Sequence, residues 1–168
     1  MDPNAIAPFI KSTRNIFEMM LQLNVETGEP SIKKMGDASF DISAIISFTG
    51  DFEGSVVLSF PEACAFRVVS LFTGTEVTKA DHDLADAVGE LVNMIAGGAK
   101  AQFEGKKVDI SCPNVVIGQN HVVQGGKDNV CVILPCSCEC GDFNIEVAMK
   151  AKPVDAGSLG QTTSGVSG

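Results

Sequence analysis

Residues 40–49 and 52–60 are rich in β-branched and aromatic side chains and meet at Gly50-Asp51, a turn signal, so the chain is committed to a β-hairpin. In the second stretch Val56, Leu58 and Phe60 alternate with Ser55, Val57 and Ser59, which gives that strand at least one strongly apolar face. A hairpin with such a face needs something to cover it. Helical patterns stand on both sides to supply the cover.

Before the hairpin, residues 4–23 return Ile6, Phe9, Ile10, Thr13, Ile16, Phe17, Met20 and Leu21 at helical spacing, and the run 26–30 ends the pattern. After it, Pro61-Glu62 opens a shorter helix over 62–73, with Cys64, Val68, Leu71 and Phe72 inward and Thr73-Gly74 as its close. A long helix follows to about Phe103, with Thr78 as expected N-cap and Asp81 three residues on. Three further strand-like stretches, 115–123, 130–135 and 143–150, are separated by turn residues at 125–129 and 140–142. Strands joined mainly by hairpins predict an α+β fold, an antiparallel-dominated sheet with two long helices packed on it.

With 168 residues, 45% of them hydrophobic, the chain suffices for one sizeable core. We expect one domain over residues 1–152 and a disordered Gly/Ser/Thr-rich tail over 153–168, too poor in apolar groups to offset its ordering entropy. The net charge of -9 opposes nucleic acid and anionic membrane as partners. No apolar run approaches the roughly 20 residues that cross a bilayer, and the N-terminus has no basic region followed by an apolar one, which predicts a cytoplasmic protein. The six Cys are expected as reduced thiols, and the absence of Trp and Tyr argues against a face built on aromatic anchors.

The long helix carries the chemistry. At 100° per residue, Leu84, Val88, Leu91 and Ile95 make a core-facing stripe, and Asp83, Asp86, Glu90, Asn93 and Gly97 fall on the opposite side. Asp86-x3-Glu90-x2-Asn93 therefore projects three functional groups from one ridge on successive turns. A solvated helix face is the plain alternative, but Asn is a mediocre helix former. Gly97-Gly98 costs about 1 kcal/mol per Gly relative to Ala, more than solubility explains. Small residues there let another backbone or protein approach closely.

The segment Asp86-Ala87-Val88-Gly89-Glu90-Leu91-Val92-Asn93-Met94-Ile95-Ala96-Gly97, with Pro113 some way downstream, resembles the signature of the CheC, CheX and FliY phosphatases. Pro8-Phe9-Ile10 and Gly54-Ser55-Val56-Val57-Leu58-Ser59-Phe60 also resemble CheX, so the likeness covers residues 4–150. A single Glu-x2-Asn places the chain nearer single-site CheX than two-site CheC.

The resemblance implies a phosphatase that hydrolyses the aspartyl phosphate of a CheY-type response regulator in chemotaxis signalling, with Glu90 and Asn93 as its functional pair. Asn93 would orient the attacking water, since a carboxamide both accepts and donates hydrogen bonds without first losing a proton. Glu90 would pair with a cation beside the partner's phosphorylation site and dock the helix. Asp86 and Gly97 are the expected partner-binding residues. The resemblance implies no cofactor in this chain, the Mg²⁺ belonging to the response regulator, and it implies a homodimer, for which open sheet edges offer a route. The alternative is a noncatalytic receiver-binding or assembly module that uses the same acidic face.

Other constellations point less far. Cys136-x-Cys138-x-Cys140 lacks the CxxC spacing of structural zinc and a second knuckle, and reads as reactive or buried thiols, with Cys64, Cys112 and Cys131 as small hydrophobes. His82 and His121 read as surface or hydrogen-bonded histidines. Gly125-Gly126-Lys127 lacks the spacing of a phosphate loop and reads as a hairpin loop.

Overall fold

The computed structural model describes residues 3–34, 36–103, 105–123 and 130–151. The expected hairpin loop at 125–127 and the expected tail at 153–168 lie outside them. The elements run α1 (Pro3–Ile16), a π turn (Phe17–Leu21), β1 (Glu26–Thr27), β2 (Ser31–Ile32), β3 (Ile42–Gly50), β4 (Phe52–Phe60), α2 (Glu62–Thr73), α3 (His82–Lys100), β5 (Val108–Ile110), β6 (Asn114–Ile117), β7 (Val132–Cys138) and β8 (Gly141–Ala151).

The strands form one sheet in the order β1-β7-β8-β4-β3-β5, with β2 also on β7 and β6 also on β3. Every pairing among the described residues is antiparallel. The expected hairpin is the centre of this sheet, with Ile42 opposite Phe60 and Phe48 opposite Gly54. The expected strand 115–123 is realised only as the short β6 (Asn114–Ile117), and a strand not expected, β5 (Val108–Ile110), precedes it, with Pro113, which has no N–H to give a ladder, between the two.

Alternation puts Ile42, Ala44, Ile46 and Phe48 of β3, Val56, Leu58 and Phe60 of β4, and Phe143, Ile145, Val147 and Met149 of β8 in one core with Phe9, Phe17, Val68, Leu84, Val88 and Ile95 of the helical layer. Phe143 is stacked on Phe17 at 5.0 Å and tilted against Phe60 at 5.1 Å. The other sheet face is also closed. Val57, Ser43, Ser59, Glu146 and Ala148 are buried there, and the segments around Lys33, Ser39 and His121 hydrogen-bond onto them. This second cover explains why Val57 and Ser59, an apolar and a polar residue on one face, are both inaccessible.

Three local expectations change. The first helix ends in a π turn closed by Gln22 at φ 56°, and its widened turn advances each residue through a smaller angle. Phe17 and Leu21 stay buried while Met20, expected inward, becomes exposed. In α2 the buried set is Cys64, Ala65, Val68 and Val69, which swings the core face away from Leu71 and leaves that residue exposed. The N-cap of α3 is Asp81, whose carboxylate accepts from the Leu84 N–H at 3.2 Å, and not Thr78; the helix starts at His82.

Candidate functional site on α3

Leu84, Val88, Leu91 and Ile95 are all fully buried, and Ala87, Val92, Ala96 and Ala99 widen the covered face. On the opposite side Asp83, Asp86, Glu90 and Asn93 are exposed and Gly97 is half-buried. All five predicted residues therefore stand on one solvent-facing ridge. Among the described residues, neither the Glu90 carboxylate nor the Asn93 carboxamide is occupied by a hydrogen bond or an ion pair. Both groups are free to meet something from outside.

The helix beneath them is held from two sides. Towards α1, the Ser12 hydroxyl donates to the Ile95 carbonyl at 2.6 Å, and Gln102 donates to the Pro8 carbonyl at 3.2 Å. Gly98 makes this approach possible, because a Cβ there would collide with Ser12 Oγ. Its neighbour Gly97 differs: no atom lies within 4 Å of where its Cβ would stand. The two glycines thus divide the work, Gly98 inside the domain and Gly97 on open surface one turn beyond Asn93.

On the other side Gly89 is the contact point. A Cβ on it would lie 3.3 Å from Pro113 Cγ and 3.4 Å from Val115 Cγ2. The start of β6 therefore rests on the residue next to Glu90, and β6 in turn is paired to β3. This buttress was not read from the sequence, where Pro113 was only a motif partner; a glycine in mid-helix immediately before Glu90 was the available signal. Gly89→Leu is expected to cost about 1–3 kcal/mol by overpacking, offset by about 0.8 kcal/mol from replacing a helical glycine. Urea unfolding reads it, and an unchanged midpoint would show that Pro113 and Val115 yield freely.

The helical layer carries two clefts besides the ridge, one between the end of α2 and the start of α3, lined by Val69, Thr75, Lys79 and Asp83, and one against α1, lined by Ile10, Arg14 and Gln102. Neither includes Glu90 or Asn93. An exposed carboxylate and carboxamide on a rigid helix suit a macromolecular partner that brings the enclosed part of the reaction centre.

The remaining constellations resolve differently. His121 has ring nitrogens 2.7 Å from both the Gly118 carbonyl and Ser43 Oγ, a hydrogen-bonded histidine; His82 is exposed at the start of α3. Among the described residues no group of three His, Cys, Asp or Glu side chains has the geometry to hold a metal ion. Cys112, expected as a small hydrophobe, is exposed because the link between β5 and β6 runs over the surface. Cys140 falls in the β7–β8 turn and not on the strand, so the three Cys do not share one extended side.

The family model described as chemotaxis phosphatase CheX matches residues 42–137. The CheY-P phosphatase CheX of Thermotoga maritima is 32% identical over 155 residues, 90% of this chain and 99% of that protein. Among solved structures, a CheC-like superfamily protein from Shewanella sp. PV-4 superposes with a TM-score of 0.81 at 31% identity, over 90% of this chain and 100% of the other. The chemotaxis protein CheX from Desulfovibrio desulfuricans gives 0.80 at 30% identity, over 88% and 99%. By sequence across nearly its whole length and by fold, the chain belongs to the CheX family of chemotaxis phosphatases.

Proposed function

We propose that the chain is a phosphatase that hydrolyses the aspartyl phosphate of a CheY-type response regulator, and that Glu90 and Asn93 carry the activity. The observation that bears the most weight is their placement: an unpartnered carboxylate and carboxamide one turn apart, exposed on a helix fixed from both flanks. The name CheY-P phosphatase on a relative 32% identical supports the same substrate.

In this reading α3 enters the receiver's phosphorylation site. Asn93 accepts a hydrogen bond from a water and donates from its amide, which holds the water in line with phosphorus; this is positioning, the main help that a phosphoryl transfer needs. Glu90 pairs with a receiver cation and sets the depth of entry, while Asp86 and Gly97 contact the receiver on the turns before and after. No metal or organic cofactor is asked of this chain, because the Mg²⁺ that neutralises the phosphoryl charge sits on the receiver. The setting is cytoplasmic, where such receivers reside, and two copies pair through a sheet edge.

The test is phosphate release from a phosphorylated receiver with the chain at catalytic amounts. Many turnovers per molecule are expected. Tight binding without turnover, across all cognate receivers, would instead favour the noncatalytic docking module.

A further inference from the structure

Away from the ridge, the fold gathers three thiols from two distant stretches of chain. Cys64 lies near the start of α2, while Cys138 ends β7 and Cys140 stands in the two-residue turn to β8. Gly141 lets them meet. It sits at φ 128°, and a Cβ on it would come within 3.4 Å of Cys64 Cβ and 3.6 Å of Cys64 Sγ. Across the hairpin the same glycine is paired with Cys138, whose Sγ lies 3.6 Å from the Gly141 carbonyl oxygen.

Both sulfurs thus lie against one residue, close enough for Cys64 and Cys138 to shift each other's titration. Cys64 and Cys140 are 3% and 5% exposed, whereas Cys138 is half-buried and reachable by a small molecule. Cys136, one strand position pair back, is turned to the Leu134 carbonyl at 3.6 Å and takes no part.

The three thiols are chemically unequal. Cys138 is drawn down to about 6, first by the hydrogen bond from Cys64 and then, against its burial, by backbone groups of Cys140 and Gly141 in the turn. Cys64 is pushed strongly up, by that same hydrogen bond and by burial, and Cys140 is raised mainly by burial. One thiolate therefore sits beside a protonated, buried neighbour. That is the arrangement of an attacking and a resolving thiol.

We propose that Cys138 is a site of oxidation by hydroperoxides and that Cys64 resolves it, closing a disulfide between α2 and the β7–β8 hairpin. The Cys138 thiolate attacks the terminal peroxide oxygen: an S–O bond forms, the O–O bond breaks, and the leaving alkoxide or hydroxide takes a proton from solvent. The Cys64 sulfur then attacks the sulfenic acid as its proton departs; the S–S bond forms, the S–O bond breaks, and the hydroxide leaves as water. Two thiols lose two electrons and the peroxide gains them. This chemistry is independent of the reading of the α3 ridge.

The experiment uses the full chain, a small molar excess of hydrogen peroxide, a maleimide quench in denaturant that opens the buried thiols, and mass spectrometry under non-reducing conditions. Maleimide adducts should fall from six to four, since all six Cys start as free thiols, with one peptide pair linking Cys64 to Cys138 and dithiothreitol restoring all six. Cys64→Ser should stop at a sulfenic acid on Cys138 that dimedone traps, and Cys112→Ser should still lose two thiols. Six adducts persisting in the wild type, or a bond inside the hairpin peptide or through Cys112, would overturn the proposal. The wild-type peptide map decides this even if a variant fails to fold.

Discussion

Asn93→Ala is expected to slow phosphate release from the phosphorylated receiver by about 10²-fold or more, the scale on which loss of a positioning group or a small misplacement acts. Stability should not fall with it. Asn93 is exposed and unpartnered, and Ala is the better helix former by up to about 0.7 kcal/mol, so the melting temperature should hold or rise slightly. That separation of rate from stability is the informative part, because a collapsed variant would show both. Glu90→Gln should divide the effect differently, weakening receiver binding and raising KM more than it lowers kcat. Turnover by Asn93→Ala equal to wild type would move the water-orienting role off this helix altogether.

Lys33→Met should destabilise the fold by about 3–5 kcal/mol, the usual consequence of leaving one partner of a buried ion pair behind. Lys33 and Glu146 form a salt bridge with side chains 6% and 2% exposed. The ammonium also donates to Ser39 Oγ at 3.1 Å and to the Val123 carbonyl at 3.0 Å, and the second Glu146 oxygen accepts from Ser39 at 2.8 Å. Without the ammonium, a carboxylate on a central face of the sheet keeps one serine for company. Lys33→Met combined with Glu146→Leu should recover most of the loss, since removing both charges removes the desolvation penalty too. Urea midpoints of the two single variants and the double variant measure it; a single variant within about 1 kcal/mol of wild type would mean that the pair is not a structural clasp.

Local periodicity carried much of the fold. The four-residue stripe of α3 was legible because each member answers to the same helical angle, and all four are buried as that angle requires. The hairpin was legible for the same reason at period two, and its turn at Gly50-Asp51 is where the two strands part. Asp81 could compete with Thr78 for the cap because both residue types accept from a helix N–H, and only the start of the buried stripe at Leu84 decides between them. The ridge was legible from spacing, and the roles of Glu90 and Asn93 on it only from the family resemblance. What spacing could not reach was whatever the chain assembles from far apart: the seat of Pro113 on Gly89, the bond between Lys33 and Glu146, and the meeting of Cys64 with Cys138. Those depend on strand order, which no local pattern records.

That strand order also sets a timetable. Among the described residues β1 and β2 pair only with β7, with Glu26 waiting for Ser137 and Ile32 for Val132, while β3, β4, α2 and α3 find neighbours close by in sequence. Synthesis at about 5–20 residues per second therefore leaves the N-terminal edge unmatched for several seconds after it emerges from the ribosome. The sheet is completed last at the edge that was made first, and a nascent chain exposes that edge to chaperones or to its neighbours on a polysome until β7 arrives.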